Sequence, residues 1–95
     1  MNFEWDEVKR NSNSAKHGLD FADASAMFGL AMFVVSDDRE DYGESRYQGV
    51  GLLNGAFAVV VFTEPDDETI RLISLRRATP KERRIYEREI KQNGY

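Results

Sequence analysis

A positively charged stretch near the end of the chain, Ser74 to Arg84, holds the residues best suited to bind phosphate. Its sequence, SLRRATPKERR, contains six charged residues, and five of them are positive. Arg76 and Arg77 lie where a strand is expected to end and a helix to begin. A guanidinium is a planar fork that matches a phosphate, and helix N-termini favour anions. The pair therefore predicts either a phosphate cradle or two solvated arginines at a strand end.

Three further side chains are suited to act on a bound phosphate, two by proton transfer and one by binding it. His17 is the only histidine, and histidine is the residue type that most readily exchanges protons near neutral pH. It also stands where a cation is expected at the end of a helix. Glu44 and Arg46 share one face of an extended segment. They are either a base beside a phosphate-binding arginine or a surface ion pair.

Aromatic and acidic residues offer two weaker indications. Trp5 and Tyr86 could stack on nucleic-acid bases, although large aromatic side chains more often serve packing. The segment from Ser36 to Glu44 holds five acids, without the ligand spacing of a calcium site. We interpret it as a solvated loop or part of a partner interface. With no cysteine and one histidine, we expect no metal site and no cofactor.

The charge of the chain is divided between two regions. The 95 residues, which we interpret as a single domain over 1–95, carry a net charge of −4. Residues 1–70 contain 5 Lys or Arg and 14 Asp or Glu, which gives −9, whereas residues 71–91 contain 8 and 3, which gives +5. An acidic surface suits a basic partner, and a basic surface suits phosphate or an acidic partner.

The start of the chain, MNFEWDEVKR, is charged and lacks the apolar segment of a signal peptide. No apolar run approaches the roughly 20 residues that span a bilayer. We therefore expect a cytoplasmic protein that makes no contact with a membrane.

Local patterns predict an α+β fold of order β-α-α-β-β-β-β-α. Asn54-Gly55 favours a two-residue hairpin that pairs Leu53 with Ala56. Short turns predict a small antiparallel meander with the helices on one side of the sheet. The predicted strands cover Phe3–Trp5, Ala31–Val35, 46–53, 56–63 and 69–76, and the helices run from Asp6 towards Lys16, over Phe21–Phe28 and from Thr79 to about Gln92.

Three finer predictions concern the ends and faces of these elements. The spacing of Phe21, Ala24 and Phe28 indicates one buried helix face. Residues 64–68 are predicted to form an acidic turn, and Asn93-Gly94 is predicted to end the last helix.

Three separated blocks of sequence together resemble the BrnT family of bacterial toxins. The opening, from Trp5-Asp6 to Lys16-His17-Gly18, is similar to the family pattern W-D-x-x-K-x-x-x-N-x-x-K-H-G. The segment that begins Gly43-Glu44-x-Arg46 and reaches Gly51 is similar to G-E-x-R-x-x-x-x-G. The stretch from Arg71 to Tyr86 resembles R-I-I-S-A-R-R-A-x-x-x-E-R-x-x-Y, with leucine at position 75 in place of the frequent alanine.

The resemblance implies the toxin of a type II toxin–antitoxin system, with a fold similar to RelE-type ribonucleases and an RNA-cleaving activity that inhibits translation. It also implies a BrnA-type antitoxin with a ribbon-helix-helix module, through which alone the complex would bind operator DNA.

On this basis we expect a metal-independent endoribonuclease in which the 2′-hydroxyl of the RNA attacks the adjacent phosphate. The alternatives left open are a non-catalytic protein-interaction module and an inactive toxin homologue. The expected catalytic residues are His17, Glu44, Arg46, Arg76 and Arg77, and the expected RNA contacts are Lys16, Arg71 and Tyr86.

Overall fold

A computed structural model describes residues 1–92 of the chain. The α+β class is confirmed, and the elements follow the predicted succession except that the second helix is a 3₁₀ helix. The strands are β1 (Asn2–Glu4), β2 (Phe33–Ser36), β3 (Tyr47–Leu53), β4 (Ala56–Asp66) and β5 (Thr69–Arg77), and the helices are α1 (Glu7–His17), the 3₁₀ helix (Phe21–Gly29) and α2 (Pro80–Gln92).

The five strands form one mixed sheet in the order β1-β5-β4-β3-β2. Strands β2 to β5 make the predicted antiparallel meander. Strand β1, however, runs parallel to β5, with Asn2 beside Thr69 and Glu4 beside Arg71. The prediction of a wholly antiparallel sheet is therefore wrong for the first strand. The three residues of β1 do not indicate the direction of the strand. Parallel strands need a crossover connection, and here the partner strand lies near the other end of the chain.

The hairpin between β3 and β4 is the predicted one. Leu53 pairs with Ala56, and the two turn residues, Asn54 and Gly55, have φ angles of 50° and 82°. Positive φ at both central positions is the mark of a type I′ turn, which asparagine and glycine adopt most readily. This turn fixes which side chains of the two strands share a face.

The predicted acidic turn at residues 64–68 is wrong, because β4 continues to Asp66. The actual turn is residues 67–68, where the carboxylate of Asp66 accepts the N–H of Glu68 at 2.8 Å. Pro65 is tolerated in this strand because β3 begins only at the level of Phe62. Beyond that level β4 has an open side, where a missing N–H costs no ladder hydrogen bond.

Helices cover both faces of the sheet, which corrects the prediction that all of them gather on one side. Successive residues of β4 point to opposite faces, so the strand contributes to two apolar clusters. The 3₁₀ helix packs on Ala58, Val60 and Phe62, and α2 packs on the other face at Phe57 and Val59. The larger cluster also contains Leu53, Ile70, Leu72 and Leu75.

The 3₁₀ helix buries a different face from the one predicted. Phe21, Ala24 and Met27 have no exposed surface, so the buried positions repeat every third residue, as a 3₁₀ helix requires. Phe28, predicted for the buried α-helical face, is only partly buried. Its ring lies 5.0 Å from the ring of Phe62, at the border of the core.

Helix α1 begins and ends as predicted. The carboxylate of Asp6 accepts the backbone N–H groups of Val8 and Lys9 at 2.8 and 3.3 Å. Gly18 follows the helix with φ of 70° and donates its N–H to the carbonyl of Ser14. A left-handed glycine in this place ends a helix without steric cost.

Helix α1 is attached to the sheet by one buried amide. The side chain of Asn13 donates to the carbonyl of Leu75 at 2.8 Å and accepts the N–H of Leu75 at 3.0 Å. Strand β1 pairs with β5 only as far as Arg71, so beyond this point the edge of β5 has no strand beside it. Asn13 supplies the two hydrogen bonds that a neighbouring strand would have made.

Helix α2 has the predicted capping box. The hydroxyl of Thr79 accepts the N–H of Glu82 at 3.2 Å, and the carboxylate of Glu82 accepts the N–H of Thr79 at 2.9 Å. Pro80 takes the first helical position, where its missing N–H is not needed. The predicted end of the helix at Asn93-Gly94 lies outside the described residues.

Candidate functional site

Three arginines from two sequence segments share the sheet face on which α2 packs. Val50 and Val59 of this face contact α2, and side chains two residues apart on a strand share a face. The register continues the face to β5, where Arg76 pairs with Val59 and Arg71 pairs with Thr63. We call this surface the arginine face; it consists of Arg46, Arg71 and Arg76 around a floor of Gln48, Val61, Thr63 and Ser74.

The three arginines are spread along the face. Continuation of the β3–β4 register places Arg46 beside Thr63, so Arg46 and Arg71 are separated by two strand spacings, about 10 Å. Arg76 lies four residues of β4 further along, at Val59, which is about 13 Å. This arrangement suits an extended, charged polymer better than a single small anion.

Arg46 is held by aromatic and acidic neighbours. Its guanidinium carbon lies 3.9 Å from the centre of the Tyr42 ring, and its Nε lies 3.8 Å from a carboxylate oxygen of Glu44. Gly43, with φ of 70°, makes the tight turn that brings both neighbours to the arginine. Among residues 1–92, the buried Nε of Arg46 and the buried hydroxyl of Thr63 have no hydrogen-bond partner.

Arg71 is paired with the first strand. Its Nε lies 2.8 Å from a carboxylate oxygen of Glu4, and this hydrogen bond raises the pKa of Arg71, with a smaller contribution from the charge of Glu44. Glu44, Thr63 and Arg71 line a hollow of about 320 Å³. The structure therefore brings together three predicted site residues, Glu44, Arg46 and Arg71, at this end of the arginine face.

Arg76 forms a two-pronged ion pair with α2. Its Nη1 and Nη2 each lie 2.8 Å from an oxygen of Glu82. The hydrogen bond lowers the pKa of Glu82 to about 2 and raises the pKa of Arg76. Because Glu82 also caps α2, Arg76 fixes the start of that helix to the sheet.

Arg39, a fourth arginine that the sequence did not single out, lies in the acidic loop after β2. Asp37 is only 3% exposed and binds Arg39 through two contacts of 2.6 and 2.7 Å. The interpretation as a solvated loop therefore does not hold for Asp37, although Asp38, Glu40 and Asp41 are exposed. Hydrogen bonds from Arg39 and Gln48 lower the pKa of Asp37. The positive charge of Arg39 acts on Arg76, which places Arg39 beside the arginine face. Only the Asp37-x-Arg39 spacing could have indicated this.

Lys16 and His17 lie in a separate groove at the edge of the sheet. The groove, about 280 Å³, is lined by α1 and by Ile73 and Ser74 of β5. Ser74 is part of the arginine face, so His17 borders that face across β5. The Asn13–Leu75 hydrogen bonds fix the position of α1 and therefore of both side chains.

Arg77 lies apart from Arg76. It pairs with Ala58 of the larger core cluster, so its side chain leaves β5 on the opposite face. Arg77 and Arg83 line a hollow of about 460 Å³ at the start of α2. The two adjacent arginines thus serve different surfaces and do not form one cradle.

Tyr86 is a core residue in this structure. It is 9% exposed, its hydroxyl donates to the carbonyl of Ala31 at 3.1 Å, and its ring stands edge-on to Phe57 at 5.2 Å. Little of the ring is left for a base to stack on. Leu75, which replaces the frequent alanine of the family pattern, is fully buried.

The part of the chain that the structure describes contains neither a membrane-spanning helix nor a metal-binding cluster. None of its helices combines the length and the apolar character needed to cross a bilayer. Among residues 1–92, no three or more His, Asp or Glu side chains are grouped as metal ligands.

Comparison with known proteins gives the chain a family. Residues 5–82 match the family described as "Ribonuclease toxin, BrnT, of type II toxin-antitoxin system". The fold is similar to the 1.1 Å crystal structure of the Brucella abortus ribonuclease toxin, BrnT, with a TM-score of 0.70 and 38% sequence identity over 83% of this chain and 97% of that one. No curated protein sequence matches the chain. The matched residues include α1, the arginine face and Glu82. The chain therefore belongs to the BrnT family of ribonuclease toxins of type II toxin–antitoxin systems.

Proposed function

We propose that this protein is an endoribonuclease toxin that cleaves RNA without a metal ion and is neutralised by a cognate antitoxin. The observation that carries the proposal is the arginine face, where Arg46, Arg71 and Arg76 lie on one side of the sheet in a chain of net charge −4. An acidic protein repels RNA in general. A local group of arginines is the feature that would bring RNA to one place on its surface.

The reaction proposed is an internal transfer at phosphorus. The 2′-hydroxyl loses a proton and attacks the adjacent phosphorus, the bond to the 5′-oxygen breaks, and that oxygen takes up a proton. The products are a 2′,3′-cyclic phosphate and a 5′-hydroxyl end. Arg46 would stabilise the negative charge that develops on this phosphate, which is commonly the largest catalytic contribution. Arg76, four residues of β4 further along the arginine face, would bind a neighbouring phosphate of the same RNA.

Glu44 and His17 are the candidates for proton transfer. A carboxylate oxygen of Glu44 lies 3.8 Å from the Nε of Arg46. Glu44 is therefore close to the phosphate that Arg46 would bind, and it suits the role of base. His17 lies across β5, beside Ser74, and is the alternative candidate for proton transfer at a phosphate bound on that side of the sheet. Lys16 and Arg71 would contact flanking phosphates, whereas we assign Tyr86 to the core.

Arg77 takes a secondary part in this proposal. It belongs to the hollow at the start of α2 with Arg83, where it would contact RNA beyond the reacting phosphate. The proposed partner is a BrnA-type antitoxin with a ribbon-helix-helix module, through which the complex would reach operator DNA. The proposed place of action is the cytoplasm, where translation occurs.

The test is cleavage of a synthetic RNA by the purified protein in the presence of excess EDTA. We expect cleavage to persist, to leave cyclic phosphate ends, and to stop when the nucleotide at the cleaved bond lacks its 2′-hydroxyl. Arg46→Ala should lower the rate about 100-fold or more, whereas Arg84→Ala, on the exposed side of α2, should cleave like the wild type. Intact RNA at a confirmed level of folded wild-type protein would contradict the proposal.

One observation favours the non-catalytic alternative. Arg39, Arg71 and Arg76 are already paired with Asp37, Glu4 and Glu82, so carboxylates of the chain itself partly neutralise the arginine face. If RNA is neither cleaved nor bound while the antitoxin still binds, the protein is an interaction module on a toxin fold.

A further inference from the structure

Strand β2 forms an open edge of the sheet that carries neither a charged residue nor a proline. It is the last strand in the order β1-β5-β4-β3-β2, and no other strand of residues 1–92 covers its outer side. Its sequence, FVVS, has no lysine and no proline, the residues that commonly keep an edge from pairing with another chain. Val34 and Val35 are 42% and 45% exposed, so apolar side chains flank the open backbone.

The hydrogen-bonding groups of this edge can be identified from the register. The N–H of Asp37 donates to the carbonyl of Arg46 at 2.8 Å, so these opposite residues form a hydrogen-bonded pair. Antiparallel pairs alternate between bonded and non-bonded, which makes Val35–Gln48 the next bonded pair. The N–H and carbonyl groups of Val34 and Ser36 therefore point outward, to the open side.

An apolar hollow continues from this edge towards α2. It measures about 240 Å³ and is lined by Phe33, Val35, Val50 and Ile85, with Gln48 and Glu82 at its polar side. Gln48 contacts Asp37, and Glu82 binds Arg76. A chain that fills the hollow would therefore lie directly beside the Arg39 and Arg76 ion pairs of the arginine face.

The acidic residues next to β2 indicate the charge of the partner. Three exposed acids, Asp38, Glu40 and Asp41, follow the strand, whereas Arg39 is engaged by Asp37. A second copy of this acidic chain, with net charge −4, would bring like charges together. A four-residue strand also supplies too little surface for a dimer, since stable interfaces bury roughly 1,200–2,000 Å². An extended segment with basic residues meets both conditions, because it can continue past the strand into the hollow.

We propose that β2 is a docking edge for an extended segment of the antitoxin, which adds a sixth strand beside Val34 and Ser36. The segment carries apolar side chains at alternate positions and Lys or Arg near Asp38, Glu40 and Asp41. The inference rests on the proposed function only in naming the antitoxin as the partner. Occupation of the hollow next to Glu82 would then obstruct access to the arginine face.

The experiment compares two variants of one edge residue in complexes formed with the antitoxin from the same operon. Val34→Pro removes an outward N–H and no ladder hydrogen bond, and Val34→Lys adds the charge that protects natural edges. Val8→Lys is the matched control, because Val8 is exposed on α1 far from β2. We expect both Val34 variants to bind the antitoxin at least tenfold more weakly than the wild type. Without antitoxin they should cleave RNA as the wild type does. The control should bind the antitoxin normally.

Amide hydrogen exchange supplies a second, independent measurement. The amides of Val34 and Ser36 should exchange rapidly in the free protein and slowly in the complex. Binding of both Val34 variants within about twofold of wild type, no added protection at these amides, or failure of wild type to bind the antitoxin would each overturn the inference. A wild-type dimer that Val34→Lys dissociates would identify a second copy as the occupant and also overturn it. Absence of RNA cleavage would contradict the proposed function while leaving these binding results decisive.

Discussion

At the scale of single residues, Arg76 has a structural role that complicates any catalytic one. It is the only arginine of the proposed set that holds a helix cap, because Glu82 bonds both to Arg76 and to the N–H of Thr79. Its loss would therefore disturb the start of α2 as well as any bound phosphate. The other partner of the ion pair allows the two roles to be separated.

We predict that Arg76→Ala lowers the rate of RNA cleavage and that Glu82→Gln does not. Both remove the ion pair, but Glu82→Gln keeps the arginine, and glutamine can still complete the capping box. If Arg76 binds a phosphate next to the reacting one, Arg76→Ala should lower the cleavage rate at subsaturating RNA about tenfold or more, and Glu82→Gln should leave this rate unchanged or faster. Equal losses in the two variants, at equal thermal stability, would show that Arg76 acts only through the helix.

The same pair predicts how stability depends on pH. The pKa of Glu82 is about 2 in the folded protein, below the value of about 4.3 for an unfolded chain. Its contribution is therefore complete above about pH 4.5 and is lost as the pH falls towards 2. Glu82 and Arg76 are a quarter and a third exposed, so we expect roughly 1–2 kcal/mol after solvent screening.

The measurement is urea unfolding of wild type and Glu82→Gln between pH 7 and pH 2. The difference in unfolding free energy should be largest at pH 7 and shrink towards zero at low pH. A difference independent of pH would mean that the ionised carboxylate is not what stabilises the cap.

How far residues could be placed from the sequence depended on the range of the interaction. The capping of Asp6 and Thr79 was predictable because their partners lie within three residues. The position of Arg46 and Arg76 on one face of the sheet was not predictable, because it depends on the pairing register of β3, β4 and β5. Arg39 was missed because only the local Asp37-x-Arg39 spacing indicates its ion pair, whereas its position beside Arg76 depends on how the loop lies against the sheet.

At the scale of elements, one amide joins α1 to the sheet. Asn13 is a poor residue for the middle of a helix, because its side chain competes for backbone hydrogen bonds. Its place is explained by the buried N–H and carbonyl of Leu75, which have no strand beside them. This contact also sets the position of Lys16 and His17 relative to Ser74.

We predict that Asn13→Ala destabilises the protein by about 2–4 kcal/mol, because it leaves two buried backbone groups unpaired. Asn11→Ala is the matched control, since Asn11 is an exposed residue of the same helix, and it should change stability by less than about 0.5 kcal/mol. Denaturant unfolding measures both, and amide exchange should accelerate at Leu75 in the first variant alone. Equal effects of the two substitutions would refute the role given to the buried amide.

The wrong predictions concern elements whose helix type or strand direction depends on contacts with distant residues. The 3₁₀ helix was read as α-helical because Phe21 and Ala24 suit either period, and only the burial of Met27 decides between them. The direction of β1 follows from its pairing with β5 at the other end of the chain. The hairpin was predicted correctly because Asn54-Gly55 fixes it within four residues.

At the scale of the whole molecule, the distribution of charge predicts how RNA binding responds to salt. The chain is acidic overall, and carboxylates of the protein already neutralise part of the arginine face. Each arginine or lysine that contacts a phosphate releases counterions, so the logarithm of the binding constant falls with the logarithm of salt concentration, with a slope of about −0.7 per contact for single strands. Three or four contacts predict a slope of roughly −2 to −3.

Binding of an uncleavable 2′-deoxy oligonucleotide, titrated at several salt concentrations, measures this slope. Arg46→Ala should reduce its magnitude by about 0.7, because one phosphate contact is lost. Arg84→Ala changes the net charge equally but lies on the exposed side of α2, so it should leave the slope unchanged. If both variants reduce the slope alike, RNA responds to the overall charge of the protein and the arginine face is not its binding site. A loss confined to Arg46→Ala would instead mean that an acidic protein binds RNA through one local surface, despite the repulsion from the rest of the chain.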